Sequence, residues 1–204
     1  MPAPTSSGAF IDPPPRAPLL LRLGTRLAER IAGKRLLPAR ILAWYPRAAF
    51  GASMLEASIT DQDGRLDRRM LKLVRLAASF ATACPFCADM NAHHHREAGV
   101  TDGELEALRR QLDPDAIPSL SELERTAVRY AQLASQTPLR FPAGFVAELR
   151  ARFGEREIVV LAATAAQVNY WARLIQALGI PPAGFADPPP VTGRPPGDAP
   201  SGRA

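Results

Sequence analysis

Residues 66–99 read LDRRMLKLVRLAASFATACPFCADMNAHHHREAG, and the spacing of their apolar positions decides the fold. Leu66, Met70, Leu73, Val74 and Ala77 recur every three or four residues, the period of one face of an α-helix rather than the alternation of a strand. The pattern breaks at Cys84-Pro85-Phe86-Cys87. Pro85 suits the first turn of a new helix, where its missing amide proton would have no intrahelical acceptor. Asp61-Gln62-Asp63-Gly64 upstream and Gly99-Val100-Thr101-Asp102 downstream supply the stop and start signals that frame this helical pair.

The helical period continues outward from this stretch. Val159, Leu161, Ala162, Ala165, Val168 and Trp171 mark one face of a later helix, and Ser121-Glu122-Leu123-Glu124 has the pattern of a capping box. No alternating strand pattern is present in the sequence. The reading predicts an all-α protein of six to eight helices, with spans at 19–32, 39–57, 66–82, 85–98, 102–110, 121–135, 142–151 and 155–178. Prolines crowd both ends, from Pro2 to Pro18 and from Pro188 to Pro200. Such composition buries too little apolar area to offset chain entropy, so 1–18 and 186–204 are expected to be disordered around one domain, 19–185.

The bulk properties narrow the function. The 204 residues are 47% hydrophobic and 22% charged, the balance of a globular protein, and at 6% the aromatics are too few for a base-stacking platform. The net charge of +5 comes from basic residues interleaved with acids, which argues against nucleic acid as a partner. The apolar run at Ala17-Pro18-Leu19-Leu20-Leu21 is broken by Arg22, short of an export signal or a membrane span, so a cytoplasmic protein without a membrane partner is expected. Only two cysteines occur, too few for a disulfide framework, and a close pair in a reducing compartment reads as redox or metal chemistry.

Placed at a helix N-terminus, the pair meets free amides and the positive end of the helix dipole, which stabilise a thiolate. Oxidation of one sulfur lets the other close a disulfide, a two-electron cycle that needs no bound cofactor. With no flavin or nicotinamide motif in the chain, the electrons must come from a separate dithiol donor. The alternatives are a buried, unreactive pair and half of a zinc site. Zinc needs two more ligands, and on a continuous helix His94 lies about 10 Å along the axis from Cys87. No metal is therefore expected, and His93, His94 and His95 read as a solvated face or a local proton reservoir.

Arg69 to Arg75 followed by Cys84 to Asn91, then Leu120 to Ala134, Phe145 to Phe153, Asn169-Tyr170-Trp171-Ala172-Arg173-Leu174 and Leu178-Gly179-Ile180-Pro181, together resemble the carboxymuconolactone decarboxylase and alkylhydroperoxidase D superfamily over residues 38–185. The resemblance implies an alkylhydroperoxidase D-like helical domain acting as a thiol-dependent hydroperoxide peroxidase or disulfide reductase, assembled as a trimer or hexamer. It gives Cys87 the attack on peroxide and Cys84 the resolving role. The family's relay glutamate and histidine match Lys72 and Asn91 here, and a histidine sometimes found between the cysteines is Phe86.

This departure removes the usual proton carriers. Asn91, one turn after Cys87, can hold a water or a substrate oxygen but cannot accept and return a proton near neutral pH. Lys72 can stabilise a thiolate by charge if it reaches the sulfurs, and is otherwise a surface helix residue. Glu56 and Asp89 are the carboxylates available as replacements, although Asp89 points away around its helix from Cys87. Phe86, Asn169 and Arg173 are the candidate substrate-binding residues, Asn169 and Arg173 sharing one helix face as ligands or as packing organisers. Competing functions are a carboxymuconolactone decarboxylase-like lyase, which does not depend on the dithiol, and a non-catalytic redox-sensing helical oligomer.

Overall fold

The computed structural model describes residues 5–59 and 66–186. Among them run nine α-helices and no β-strand: α1 (Leu19–Ala32), α2 (Leu37–Ile41), α3 (Pro46–Ser58), α4 (Arg68–Ala81), α5 (Pro85–Ala92), α6 (Asp102–Arg109), α7 (Glu122–Ala134), α8 (Phe145–Arg152) and α9 (Glu155–Ala177). The all-α class holds, and the count exceeds the expected six to eight because the span read as one helix at 39–57 is divided. Tyr45 precedes Pro46 and takes a non-helical conformation (φ −127°, ψ 86°), since the proline ring disfavours a helical residue before it. A short α2 and a 3₁₀ turn, Leu42–Trp44, therefore end there, and α3 begins at Pro46.

The helix expected over 85–98 is also shorter. It stops at Ala92, where His93 is extended (φ −60°, ψ 136°) and His94 is left-handed (φ 54°), so the three histidines form a turn rather than a helix face. The break read at Asp61 to Gly64 lies outside the described residues.

Helix α4 is the centre of the bundle. Leu73, Val74, Leu76 and Ala78 are wholly buried, and α4 packs against α5, α6, α7 and α9. Fully burying a leucine or valine side chain stabilises the fold by about 1.5–3 kcal/mol, so Leu73, Val74 and Leu76 each add a contribution of that size. Asp67 caps α4 by accepting the Met70 amide at 2.8 Å. Thr101 with Glu104, and Ser121 with Glu124, close capping boxes on α6 and α7. Arg69 on α4 joins the two boxes, with Nη2 at 2.7 Å from Glu104 and Nε at 2.6 Å from Glu124. Helix α9 is long and apolar enough to cross a membrane by length and composition; in the fold it lies along α4, α5 and α7.

The N-terminal segment is not the disordered arm the prolines suggested. Ala9 is buried, the Phe10 amide donates to Leu178 O at 2.9 Å, and Trp44 Nε1 donates to Asp12 O at 2.8 Å. The Phe10 ring lies over Gly179, whose φ of +61° suits glycine and where an added Cβ would overlap the ring. Apolar burial and backbone hydrogen bonds that are remote in sequence thus fix residues 5–18 to the end of α9. At the other end the domain reaches Ala186, and the disorder expected for 187–204, like that for 1–4, falls outside the described residues.

Candidate functional site

Cys84 is the N-cap of α5 and Pro85 its first residue, so the sequence builds the helix start around the two sulfurs. They are paired at disulfide distance, with their Cα atoms 5.3 Å apart, and Cys84 Sγ accepts the Cys87 amide at 3.2 Å. Both residues are buried, 0% and 1% exposed, in an apolar cluster with Phe86, Ile41, Ala172, Ile175, Ile180, Phe185 and Ala9. The cover comes from α2, α9, the N-terminal segment and the stretch after α9.

Asp89 explains how that last stretch is held. Its carboxylate is wholly buried and accepts four backbone amides: Ala183 (3.1 Å), Gly184 (2.8 Å) and Phe185 (3.0 Å) on Oδ2, and Ala186 (2.8 Å) on Oδ1. A buried carboxylate is tolerated when its lone pairs are filled by N–H donors in this way. Phe185, fixed by that grip, meets Phe86 edge to face with ring centroids 6.3 Å apart. Phe86, read as a substrate contact, is thus a packing partner of the cover.

The other predicted residues fall at three separate places. Asn91 stays beside the dithiol helix start, its Nδ2 donating to Ser79 Oγ at 2.9 Å and to Cys87 O at 3.0 Å. Lys72 lies at the opposite end of α5, where Nζ donates to His93 O at 2.6 Å. Burial, reinforced by Arg75 and Arg68, lowers its pKa to about 8. Asn169 Nδ2 donates to Ser135 Oγ at 2.9 Å, and Arg173 Nη2 to Thr137 Oγ1 at 2.8 Å, so both address the loop between α7 and α8. Of the histidines, His94 pairs with Glu97 and His95 with Asp102.

Glu56 is the carboxyl that the chain places near this region in a perturbed state. Gln167 Nε2 donates to it at 2.7 Å, and the surrounding atoms desolvate the carboxyl and raise its pKa, against the opposing pull of Trp171 and Arg75. Trp171, one turn beyond Gln167, packs against the dithiol cluster. The sequence offered Glu56 only as a spare carboxylate; its hydrogen bond to Gln167 on α9 is one that no local pattern announces.

The site is thus a pair of cysteines at disulfide distance, set at a helix start in a helical bundle. Residues 48–133 match the carboxymuconolactone decarboxylase family. The protein YnjA of Escherichia coli is 28% identical over 175 residues, covering 86% of this chain and 94% of that one. YdfG of Bacillus subtilis is 24% identical over 140 residues, 68% of this chain and 93% of YdfG. The alkylhydroperoxidase AhpD core of a peroxidase-related protein from Ralstonia eutropha superposes with a TM-score of 0.73 at 15% identity, over 87% of this chain and 94% of that one. The debrominase Bmp8, in a cysteine-to-alanine form with 2,3,4-tribromopyrrole, superposes at 0.72 and 18% identity, over 86% and 92% of the two chains. At such identities the two structures attest the fold alone. Residues 48–133 thus carry the match to the carboxymuconolactone decarboxylase family, and the bundle as a whole has the alkylhydroperoxidase D-like fold.

Proposed function

We propose that the protein is a dithiol–disulfide oxidoreductase that reduces a hydroperoxide or a disulfide through Cys84 and Cys87. The observation that carries this reading is the pairing of the two sulfurs at the first turn of α5. The Cys87 thiolate attacks the terminal peroxide oxygen and breaks the O–O bond, leaving a sulfenic acid and an alkoxide that departs as the alcohol after taking a proton. The Cys84 thiolate then displaces hydroxide, released as water, and forms the disulfide. A separate dithiol returns two electrons and two protons.

Glu56 is the proton carrier in this scheme, because its carboxyl is held by Gln167, one turn before the Trp171 that borders the dithiol, and its pKa is raised from the ordinary carboxyl value. The need for a reducing donor supports a cytoplasmic location. Assembly as a trimer or hexamer is supported by α1, where Leu20, Leu23, Leu27 and Ile31 share one exposed stripe.

Thiol counting before and after one equivalent of a hydroperoxide, with mass spectrometry of the 84–87 peptide, tests the reading. The expected result is loss of both thiols to an internal disulfide and full recovery with dithiothreitol. Oxidation no faster than that of free cysteine would overturn it.

A further inference from the structure

An open groove of about 750 Å³ runs beside the loop between α7 and α8, lined by Ala81, Thr82, Ser135, Gln136, Thr137, Pro138, Arg140 and Arg173. It contains two guanidinium groups and no carboxylate. Arg140 and Arg173 form no ion pair with any described residue, whereas Arg69, Arg129 and Arg152 all do. An arginine pair facing one cavity without a counter-charge repels itself, and the field in the cavity attracts an anion.

The hydroxyl groups add direction to this charge. Ser135 Oγ already accepts from Asn169 and Thr137 Oγ1 from Arg173, so both hydroxyl protons remain to donate. The Asn169 amide is itself oriented by a second bond, to Ala165 O at 2.8 Å. The loop is anchored just past Arg140, where Phe141 stacks between Tyr130 (centroids 5.7 Å apart) and Phe145 (5.9 Å). These groups together offer two positive charges and hydroxyl donors on a stiffened frame.

We propose that this groove binds the phosphoryl group of a small molecule. A phosphoryl group carries close to two negative charges and presents three oxygens, which matches two guanidiniums and two hydroxyl protons better than the single charge and two oxygens of a carboxylate. Thr82, on the groove wall, stands two residues before Cys84, no more than about 7 Å of extended chain. Gln176 Nε2 fixes that wall to α9 by donating to Thr82 O at 3.1 Å. The site is therefore a neighbour of the dithiol, and it exists whether or not the sulfurs turn over.

Titration calorimetry of the full chain with inorganic phosphate and with malonate, at matched ionic strength, tests the proposal. Saturable phosphate binding is expected, weakened about tenfold or more in Arg140→Ala and in Arg173→Ala, as loss of a charged hydrogen-bond donor requires. Arg150→Ala, outside the groove, should bind as the parent does. Melting curves establish that the variants fold; Arg140 is exposed, and Arg140→Gln serves as a second probe should Arg173→Ala unfold. Absence of saturable binding, or unchanged affinity in the Arg140 variants, would overturn the site. Malonate binding as tightly as phosphate would overturn the phosphoryl assignment.

Discussion

Arg69 grips Glu104 with both ends of its guanidinium, Nη2 to Oε1 at 2.7 Å and Nη1 to Oε2 at 3.0 Å, while the same carboxylate closes the capping box of α6. Burial alone would raise the Glu104 pKa; the bonds from Arg69 and the Thr101 amide overcome it and hold the carboxyl at about 2. The ion pair therefore couples α4 to the starts of α6 and α7.

A carboxyl depressed in the folded state stabilises above its unfolded pKa and loses that stabilisation as pH falls toward the folded value. Urea denaturation from pH 5 down toward pH 2 should show a decline to which Glu104 contributes about 3 kcal/mol. Arg69→Met strands the buried carboxylate and should cost about 3–5 kcal/mol at pH 7. In that variant the Glu104 contribution should change sign, because an unpaired buried carboxylate is relieved by protonation. A variant with the parent's acid profile would refute the coupling.

The two sulfurs should behave differently when separated. Cys84→Ser should consume one peroxide and stop at a Cys87 sulfenic acid, detectable by dimedone labelling, while Cys87→Ser should react slowly. The Cys87 amide bonds Cys84 Sγ. The reverse labelling pattern would move the attacking role to Cys84, which that amide would favour as a thiolate.

At the junction of the chain's two ends, Gly179→Ala should destabilise by about 1–3 kcal/mol, since alanine is strained at a positive φ and its methyl must displace Phe10. Deleting residues 1–16 should lower the melting temperature by about 3 °C or more, through loss of the Ala9 and Phe10 contacts. An unchanged melting temperature in both would show that the segment contributes nothing.

Replacing Leu23 and Leu27 by glutamine leaves the core of the protomer intact, because both are exposed on α1. Light scattering should show the parent as an assembly above the 22.0 kDa protomer and the double variant as a smaller species. A parent that is monomeric at micromolar concentration would remove the oligomer from the proposal.

The features legible in the sequence were those written in local spacing. The α4 face, the Ser121 capping box and the Cys84 helix start each depend on residues within a few positions of one another, and each was read correctly. The features missed depend on distant partners. Asp89 is satisfied by backbone amides of residues 183–186, which carry no side-chain pattern to announce them. Phe10 finds Gly179 across nearly the whole chain, so a proline-rich composition outweighed a contact that only the folded bundle creates. The end of α5 at Ala92 had no glycine or proline to mark it, because the left-handed turn there is made by His94.

Burial of the sulfurs also governs how fast anything can reach them. With Cys84 and Cys87 at 0% and 1% exposure, a reagent meets them only in conformations where part of the surrounding apolar cover has lifted. The measured rate is then the intrinsic thiol rate multiplied by the population of the open form, up to a ceiling set by the opening rate itself. Reagents of graded size thus act as a ruler for that opening, with small oxidants sampling local fluctuations and bulky ones requiring the stretch held by Asp89 to detach.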